Sequence, residues 1–272
     1  MARSLLESEG LVVTVIGEGS NLIVADTGFS GAVLRLVNRE IRRDGTTVQV
    51  DGGVTLQTLV DYTVAQGLKG LETMTGIPGS VGAAIYGNAG AYGHSIQERV
   101  VLVRFHDGTA VREIDNAGCE FQYRESIFKR NKAWVILSAT LAMEAGDAAA
   151  LHEKATGILD VRNRKYPPTM KCAGSIFKNY LLAALPPDVA AQVPAKVVIE
   201  GKIPSAWFLE QVGAKGLRVG DIQVADYHAN LIYNDGAGTA RDLRLVIADL
   251  KERIRSRFGI PLEEEVQYIG FE

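Results

Sequence analysis

A mixed fold of strands and helices in two consecutive domains is what the sequence predicts, and three observations predict it. Short apolar runs rich in β-branched residues recur at residues 11–16, 22–24, 32–36, 46–54, 100–106, 110–114 and 134–143, with the length and composition of strands. Amphipathic helical spacing appears at residues 56–66, 148–162 and 241–258, each with apolar side chains on one face. Between the second and third of these helices stands Pro167-Pro168, which cannot continue a helix and marks a domain boundary.

Composition narrows the function classes. The 272 residues are 47% hydrophobic and 22% charged, with a net charge of −3, as in an ordinary soluble globular protein. No basic face is implied, which argues against nucleic acid as a partner. No apolar run is long enough to cross a bilayer, and the N-terminus MARSLLESEG lacks the apolar stretch of a signal peptide. The two cysteines, Cys119 and Cys172, form neither a disulfide framework nor a metal-ligand pattern, and the four histidines have no metal-motif spacing. The expectation is a protein of a reducing cytoplasm with no metal and no membrane.

In chain order, residues 2–9 read as a short helix ended by Gly10. Residues 11–16 (LVVTVI) read as a strand buried on both faces. A buried interior strand so near the start predicts that an opening strand-helix element, about 20–30 residues by the usual size of such units, is missing. Gly17-Glu18-Gly19-Ser20-Asn21 is a turn between two strands whose backbone donors, hydroxyl and amide suit a pyrophosphate. It is not a P-loop, since no GKS or GKT follows, and not the dinucleotide fingerprint, since no helix follows. Residues 26–31 (DTGFSG) read as a second turn, an ordinary hairpin loop in preference to a direct ligand contact, and Gly67 ends the helix at 56–66. Beyond the Pro-Pro break, residues 206–211 open a helix, residues 212–216 turn, and residues 219–224 and 230–233 read as strands.

The densest signal is residues 76–93, GIPGSVGAAIYGNAGAYG, with six glycines, four alanines and one proline in 18 residues. So few large side chains contribute little to a core. Glycine permits close approach of backbone to a flat or charged ligand, and successive N–H groups can form an anion-binding nest. A cofactor loop is one reading; a buried Gly/Ala turn serving packing alone is the other. Elsewhere, Arg124 next to Glu125 reads as an active-site cation or a surface ion pair. Ser175 after Gly174 reads as a reactive hydroxyl or a helix cap. Spacing does not choose among Glu263, Glu264 and Glu265.

Six stretches, GEGSNLIVADTGFSG, TGIPGSVGAAIYGNAGAYG, YRESIFK, CAGSIFKN, HANLIYN and LEEEVQYIG, resemble the UDP-N-acetylenolpyruvoylglucosamine reductase (MurB) family, in the family's order and over nearly the whole chain. The spacing after Pro167-Pro168 is similar to the shorter, second subclass. The resemblance implies an α+β fold, a two-lobed FAD-binding region like that of vanillyl-alcohol oxidase followed by a smaller α+β substrate domain. It implies domains at residues 1–166 (FAD-binding) and 167–262 (substrate-binding), with residues 263–272 as a C-terminal strand returning to the active site. It also implies a monomeric cytoplasmic flavin enzyme of peptidoglycan precursor synthesis. In that reaction NADPH reduces FAD, and a hydride then passes to the enolpyruvyl group of UDP-N-acetylglucosamine enolpyruvate to give UDP-N-acetylmuramate.

The resemblance also assigns residues. Gly17, Gly19, Ser20 and Asn21 would hold the FAD pyrophosphate. Ile77, Pro78, Gly79, Ser80, Gly82, Asn88, Ala89, Gly90, Ala91, Tyr92 and Gly93 would surround the FAD. Arg124, Ser175 and Glu265 would be catalytic, with Ser175 the proton donor. Lys178, Asn179, His228 and Asn230 would touch the phosphates or sugar of the UDP-sugar substrate. The chemistry suits these types, because hydride addition builds negative charge as an enolate. A permanently charged arginine stabilises it, and a positioned hydroxyl protonates the neighbouring carbon. Two departures stand out. Gln267 occupies a position where the family usually has arginine, which removes a substrate or carboxylate contact. Relative to the family, the opening strand and helix are missing, which predicts an open edge beside residues 11–16 and weaker FAD binding. Another flavin oxidoreductase on the same fold, or a nucleotide-binding homologue with an impaired FAD site, is the rival expectation.

Overall fold

The computed structural model describes residues 2–271. In chain order, helix α1 (Ala2–Ser8) precedes strands β1 (Val13–Ile16), β2 (Leu22–Val24), β3 (Ala32–Arg35), β4 (Ile41–Asp44) and β5 (Thr47–Asp51). Helices α2 (Leu56–Ala65) and α3 (Val81–Tyr86) follow, then β6 (Val100–His106), β7 (Val111–Asp115), α4 (Ile127–Arg130), β8 (Val135–Ala142) and α5 (Ala148–Lys165). The remainder holds β9 (Lys171–Ser175), α6 (Ser205–Gln211), β10 (Arg218–Val219), β11 (Ile222–Val224), β12 (Leu231–Asn234), α7 (Ala240–Phe258) and β13 (Gln267–Ile269), with short turns and two-residue strands between. The architecture is α+β, in two units: Met1–Gly19 with Gly31–Pro167, and Ser20–Ser30 with Pro168–Glu272.

The first unit is organised by an antiparallel five-stranded sheet in the order β7-β6-β8-β5-β4. Alternation explains its inner face: Val48 and Val50 of β5 are buried while Gln49 between them is exposed. Helices α2 and α3 cover that face with Leu56, Leu59, Val60, Val81 and Ile85, all buried in one cluster with Val48 and Val50. Thr55 caps α2, its hydroxyl accepting from Thr58 N at 3.1 Å. Phe105 of β6 stacks on Trp134 at 4.6 Å and meets Phe128 of α4 edge-on at 5.3 Å, and full burial of Phe128 contributes about 1.5–3 kcal/mol.

Two expectations for this unit change. Residues 76–93 are not all loop, because α3 lies inside them, and Val81 and Ile85 do enter the core. The small residues around those two let a short helix sit against the sheet. Residues 11–16 are not a strand buried on both faces: Leu11 and Val12 are exposed, and Val13–Ile16 are only half-buried. β1 pairs in parallel with β3, and its β-branched side chains mark a strand without marking full burial.

In the second unit an antiparallel sheet runs β9-β12-β11-β10. Residues 219–224 make a tight hairpin instead of one strand, with Gly220 at φ 55° in the turn between β10 and β11, a conformation glycine adopts without strain. Helix α7 buries Val246, Ile247, Leu250 and Ile254 at the spacing of one helical face. Phe258 near its end meets Phe208 of α6 edge-on at 5.1 Å, and Gly259 ends the helix in the left-handed conformation. The C-terminal strand β13 pairs in parallel with β2, Gln267 opposite Leu22 and Ile269 opposite Val24.

Residues 26–31 are not a hairpin loop, because β2 pairs with β13 and β3 pairs with β1. Instead, the Asp26 carboxylate accepts from Ala240 N at 2.7 Å and Arg241 N at 3.0 Å. It thereby joins the capping box of Thr239 and Asp242 at the start of α7. A negative charge on otherwise unpaired N–H groups at a helix N-terminus is favourable. Asp26→Ala is expected to lower stability by about 1 kcal/mol, read as a lower urea midpoint with an unchanged m-value.

Candidate active site

In the first unit, residues 76–93 are stitched to the turn between β5 and α2. Leu56 N donates to Gly79 O, Val81 N to Val54 O and Gly82 N to Gly52 O, at 2.8–2.9 Å. Ser80 caps α3, its hydroxyl accepting from Ala83 N at 3.3 Å. The N–H groups of Val81, Gly82, Ala83 and Ala84 are thus all engaged within the chain, so the expected nest does not form over them. Gly17 lies against this turn: a Cβ at Gly17 would stand 2.7 Å from Ser80 Oγ and 3.0 Å from Ala83 Cβ. The first glycine of GEGSN and the small-residue stretch therefore meet within one unit, through a contact only glycine permits.

The second half of the stretch is held by Asn88, which is 3% exposed. Its amide donates to Gln97 Oε1 at 2.9 Å and to Gln122 O at 2.8 Å. Both donors are therefore spent inside the chain, and the Asn88 side chain organises the loop. The backbone here is strained. Of five non-glycine residues with positive φ among the described residues, three are Asn88 (43°), Tyr92 (53°) and Arg124 (59°). Left-handed backbone at non-glycine residues costs free energy and clusters where function requires a fixed geometry.

Arg124 is bound to that same backbone. Its Nη2 donates to Gly90 O at 2.8 Å and Nη1 to Asn88 O at 3.4 Å. Lys129 Nζ donates to Arg124 O at 2.9 Å and pairs with Glu125 at 3.1 Å. Ser126 caps α4 and donates from its hydroxyl to Tyr86 O at 2.7 Å, which ties YRESIFK to the end of α3.

Sequence reading passed over Arg162, assigned only to the helix at 148–162. Its stem packs on the start of the stretch: a Cβ at Gly76 would lie 3.1 Å from Arg162 Cδ and Nε. The Nε–H is buried without a hydrogen-bond partner, and the guanidinium stands over the Tyr166 ring at 5.7 Å. A buried guanidinium N–H with no partner among the described residues, beside glycine-rich strained backbone, fits a flat anionic cofactor at this loop. The only hint in the sequence was an arginine just before the Pro-Pro break.

In the second unit, Ser175 ends β9, next to a register shift between Cys172 and Ser175 where Gly174 has φ 75°. A bulge of this kind re-aims the side chain that follows it. Ser175 is thus a strand residue, not a helix cap. Asn230 holds the chain just beyond it. Its Oδ1 accepts from Phe177 N at 2.9 Å, and its Nδ2 donates to Phe177 O and Ser205 Oγ, both at 2.8 Å. At 3% exposure, this amide is committed to positioning the strand. Ser205 N in turn donates to Asn179 Oδ1 at 3.2 Å.

Glu265 joins the same register. Its N–H donates to Ile176 O at 2.8 Å, and its carbonyl accepts from Asn21 Nδ2 at 3.0 Å. Ser175, Glu265 and Asn21 are thereby neighbours in one hydrogen-bonded segment drawn from three distant stretches. The adjoining glutamates are engaged elsewhere: Glu263 pairs with Lys178 at 3.2 Å, and Glu264 with Lys251 at 2.7 Å and the Tyr268 hydroxyl. Gln267 donates from its side chain to the carbonyls of Glu265 and Val266 at 3.4 and 3.3 Å. His228 stands in the turn before β12, half-buried, its N–H donating to Ala225 O.

Comparison with known proteins gives this arrangement its class. Residues 3–112 match the FAD binding domain family model, and residues 166–269 match that of the UDP-N-acetylenolpyruvoylglucosamine reductase C-terminal domain. A flavin-binding domain followed by that second domain defines an FAD-dependent oxidoreductase. The UDP-N-acetylenolpyruvoylglucosamine reductase of Solibacter usitatus is 63% identical over 99% of this chain and 86% of its own length. That of Rubrobacter xylanophilus is 37% identical over 99% and 84%. The crystal structure of the MurB reductase from Thermus caldophilus superposes with a TM-score of 0.76 at 26% identity, covering 99% of this chain and 90% of the other. The chain belongs to the UDP-N-acetylenolpyruvoylglucosamine reductase (MurB) family.

Removing the Asn230 amide leaves the N–H of Phe177 without its buried partner and its C=O with only the longer bond from Ser205 Oγ at 3.4 Å, at about 1–3 kcal/mol for an unsatisfied group. Asn230→Ala is expected to destabilise the protein by about 3 kcal/mol, measured by chemical denaturation.

Proposed function

We propose that this chain divides the reductase reaction among its residues as follows. The overall reaction is the NADPH-dependent reduction of UDP-N-acetylglucosamine enolpyruvate to UDP-N-acetylmuramate. Bound FAD supplies the hydride-transfer chemistry between NADPH and the enolpyruvyl group. The loop residues Ile77, Pro78, Gly79, Ser80, Gly82, Asn88, Ala89, Gly90, Ala91, Tyr92 and Gly93, with Gly17, Gly19, Ser20 and Asn21, hold that cofactor. The tight packing of Gly17 on Ser80 and the strained loop backbone support this assignment. In this reading residues 1–166 form the cofactor domain, 167–262 the substrate domain, and 263–272 the strand that brings a carboxylate to the site.

Arg124 stabilises the negative charge that grows toward the substrate carboxylate, a task suited to a guanidinium anchored on the loop backbone at Gly90 and Asn88. Ser175 delivers a proton from its hydroxyl to the carbon beside the one that gains hydride. A serine is a weak acid, but an enolate is a strong base, so a positioned hydroxyl suffices. Glu265 orients that hydroxyl or shares its proton. Lys178, Asn179 and His228 contact the phosphates and sugar of the substrate, while Asn230 acts through the backbone it positions. The observation that carries the assignment is the register placing Glu265 beside Ile176, one residue from Ser175. The enzyme acts as a cytoplasmic monomer, where NADPH and UDP-sugars are made. Its product feeds peptidoglycan synthesis, and through it cell-wall biogenesis, cell shape and division.

Ser175→Ala is expected to leave reduction of the flavin by NADPH unchanged and to slow turnover of the enolpyruvyl substrate about 10²–10⁴-fold. Stopped-flow absorbance separates the two half-reactions. Slow flavin reduction with normal substrate turnover would overturn the proton-donor role.

A further inference from the structure

We propose that Arg162 is an anion-binding residue of the cofactor loop, presenting its guanidinium to a phosphate or carboxylate of a ligand seated at residues 76–93. This rests on the reading of that stretch as a ligand loop. Four observations carry it. Arg162 projects from α5 onto Gly76, where a Cβ would stand 3.1 Å from Arg162 Cδ and Nε and a side chain would be both strained, at φ 76°, and crowded. Its Nε–H is buried and makes no hydrogen bond among the described residues. The groups that act on its charge are the phenols of Tyr166 and Tyr92 and the guanidinium of Arg124, and among the described residues no carboxylate is one of them. By contrast Glu72, the buried carboxylate at the entry to the stretch, is paired with Lys154 at 2.9 Å.

Burial works against the charge of Arg162, lowering its affinity for its proton, and Arg124 adds repulsion. An arginine does not escape that cost by losing its proton at any ordinary pH. The buried Nε–H of Arg162, with no partner among the described residues, is a donor that an oxyanion would satisfy. The guanidinium stands over the Tyr166 ring, a cation–π contact that helps hold it in place, and a guanidinium offers paired N–H donors for bidentate oxyanion recognition. A purely packing role would need the stem alone, which methionine supplies at similar length.

Two sources offer the required oxyanion: the diphosphate of FAD, and the diphosphate or carboxylate of the UDP-sugar. Arg162→Met and Arg162→Lys holoproteins, together with wild type, distinguish them. FAD retention is read as recovery of flavin fluorescence on dilution. Substrate binding is read as the perturbation of the flavin spectrum by UDP-N-acetylglucosamine enolpyruvate. Arg162→Met is expected to weaken one of the two affinities at least tenfold, and Arg162→Lys to restore part of the loss. Loss of FAD retention assigns the anion to the cofactor; loss of the substrate response alone assigns it to the substrate. If Arg162→Met does not fold, Arg162→Lys, which keeps the charge without the fork, still must weaken one affinity. Both affinities within twofold of wild type would overturn the proposal. Ala91→Glu separates this from failure of the loop reading. Loss of flavin with Ala91→Glu while Arg162→Met keeps both affinities within twofold removes Arg162 alone, whereas full retention of flavin and of the substrate response in both variants removes the loop reading and the proposal with it.

Discussion

Backbone polar groups buried outside a regular ladder must find partners among side chains, and in the second unit that duty falls on Asn230. After the register shift that follows Cys172, β9 makes one more pair with β12, Ser175 opposite Leu231, and beyond it Phe177 lies outside the ladder and faces Glu264 only in an isolated bridge. Both polar groups of Phe177 are then met by one amide. Phe177 itself is 1% exposed and belongs to the core of this unit, so its backbone has no access to water. The price of aiming Ser175 out of the sheet is a buried polar residue with every bond specified. Asparagine has the needed donor and acceptor on a short side chain, whereas aspartate would lack the donor.

The glycine-rich stretch answers two demands at once, and they separate residue by residue. Gly17, Gly76, Gly82 and Gly90 are small because the chain itself presses on them: a Cβ at Gly90 would come 2.3 Å from His94 O. Gly79 and Gly93, with φ of 121° and 82°, are glycines for conformation. Packing alone therefore accounts for part of the composition that suggested a ligand. It does not account for Asn88, Tyr92 and Arg124, which adopt left-handed backbone with full side chains. Strain at those positions is held by Asn88 bonding to Gln97 and Gln122, and by Arg124 bonding back to the loop.

Much of this was legible in the sequence, for identifiable reasons. Strong periodicity located α2, α5 and α7 to within three residues at either end, because a buried helical face leaves a clear pattern. The runs at 100–106, 110–114 and 134–143 became β6, β7 and β8. What failed was local. The apolar run at 11–16 looked like an interior strand because hydrophobicity does not record whether a second face is covered. α3 was hidden among glycines and alanines, which carry almost no amphipathic signal. The role of Asp26 was invisible because its partners, Ala240 and Arg241, lie more than two hundred residues away. Arg162 was hidden for a different reason. An arginine in an amphipathic helix normally faces water, and only the packing on Gly76 shows that this one does not.

The three consecutive glutamates show what backbone geometry adds to side-chain chemistry. Glu263 and Glu264 are held both by their carboxylates, through Lys178, Lys251 and Tyr268, and by their backbone, which runs beside Phe177 and Lys178. Glu265 is fixed by its backbone, with its N–H on Ile176 and its C=O on Asn21. A residue positioned through its main chain keeps its place whatever its carboxylate does. That arrangement suits a group that must meet a substrate and change its hydrogen bonds during a reaction. It also explains why GEGSN ends in asparagine. The Asn21 amide holds Glu265, while its carbonyl accepts from Gln267 at 3.0 Å, so this residue sets the register in which β13 joins β2. A motif first read for its pyrophosphate chemistry thus also carries the residue that fixes the C-terminal glutamate.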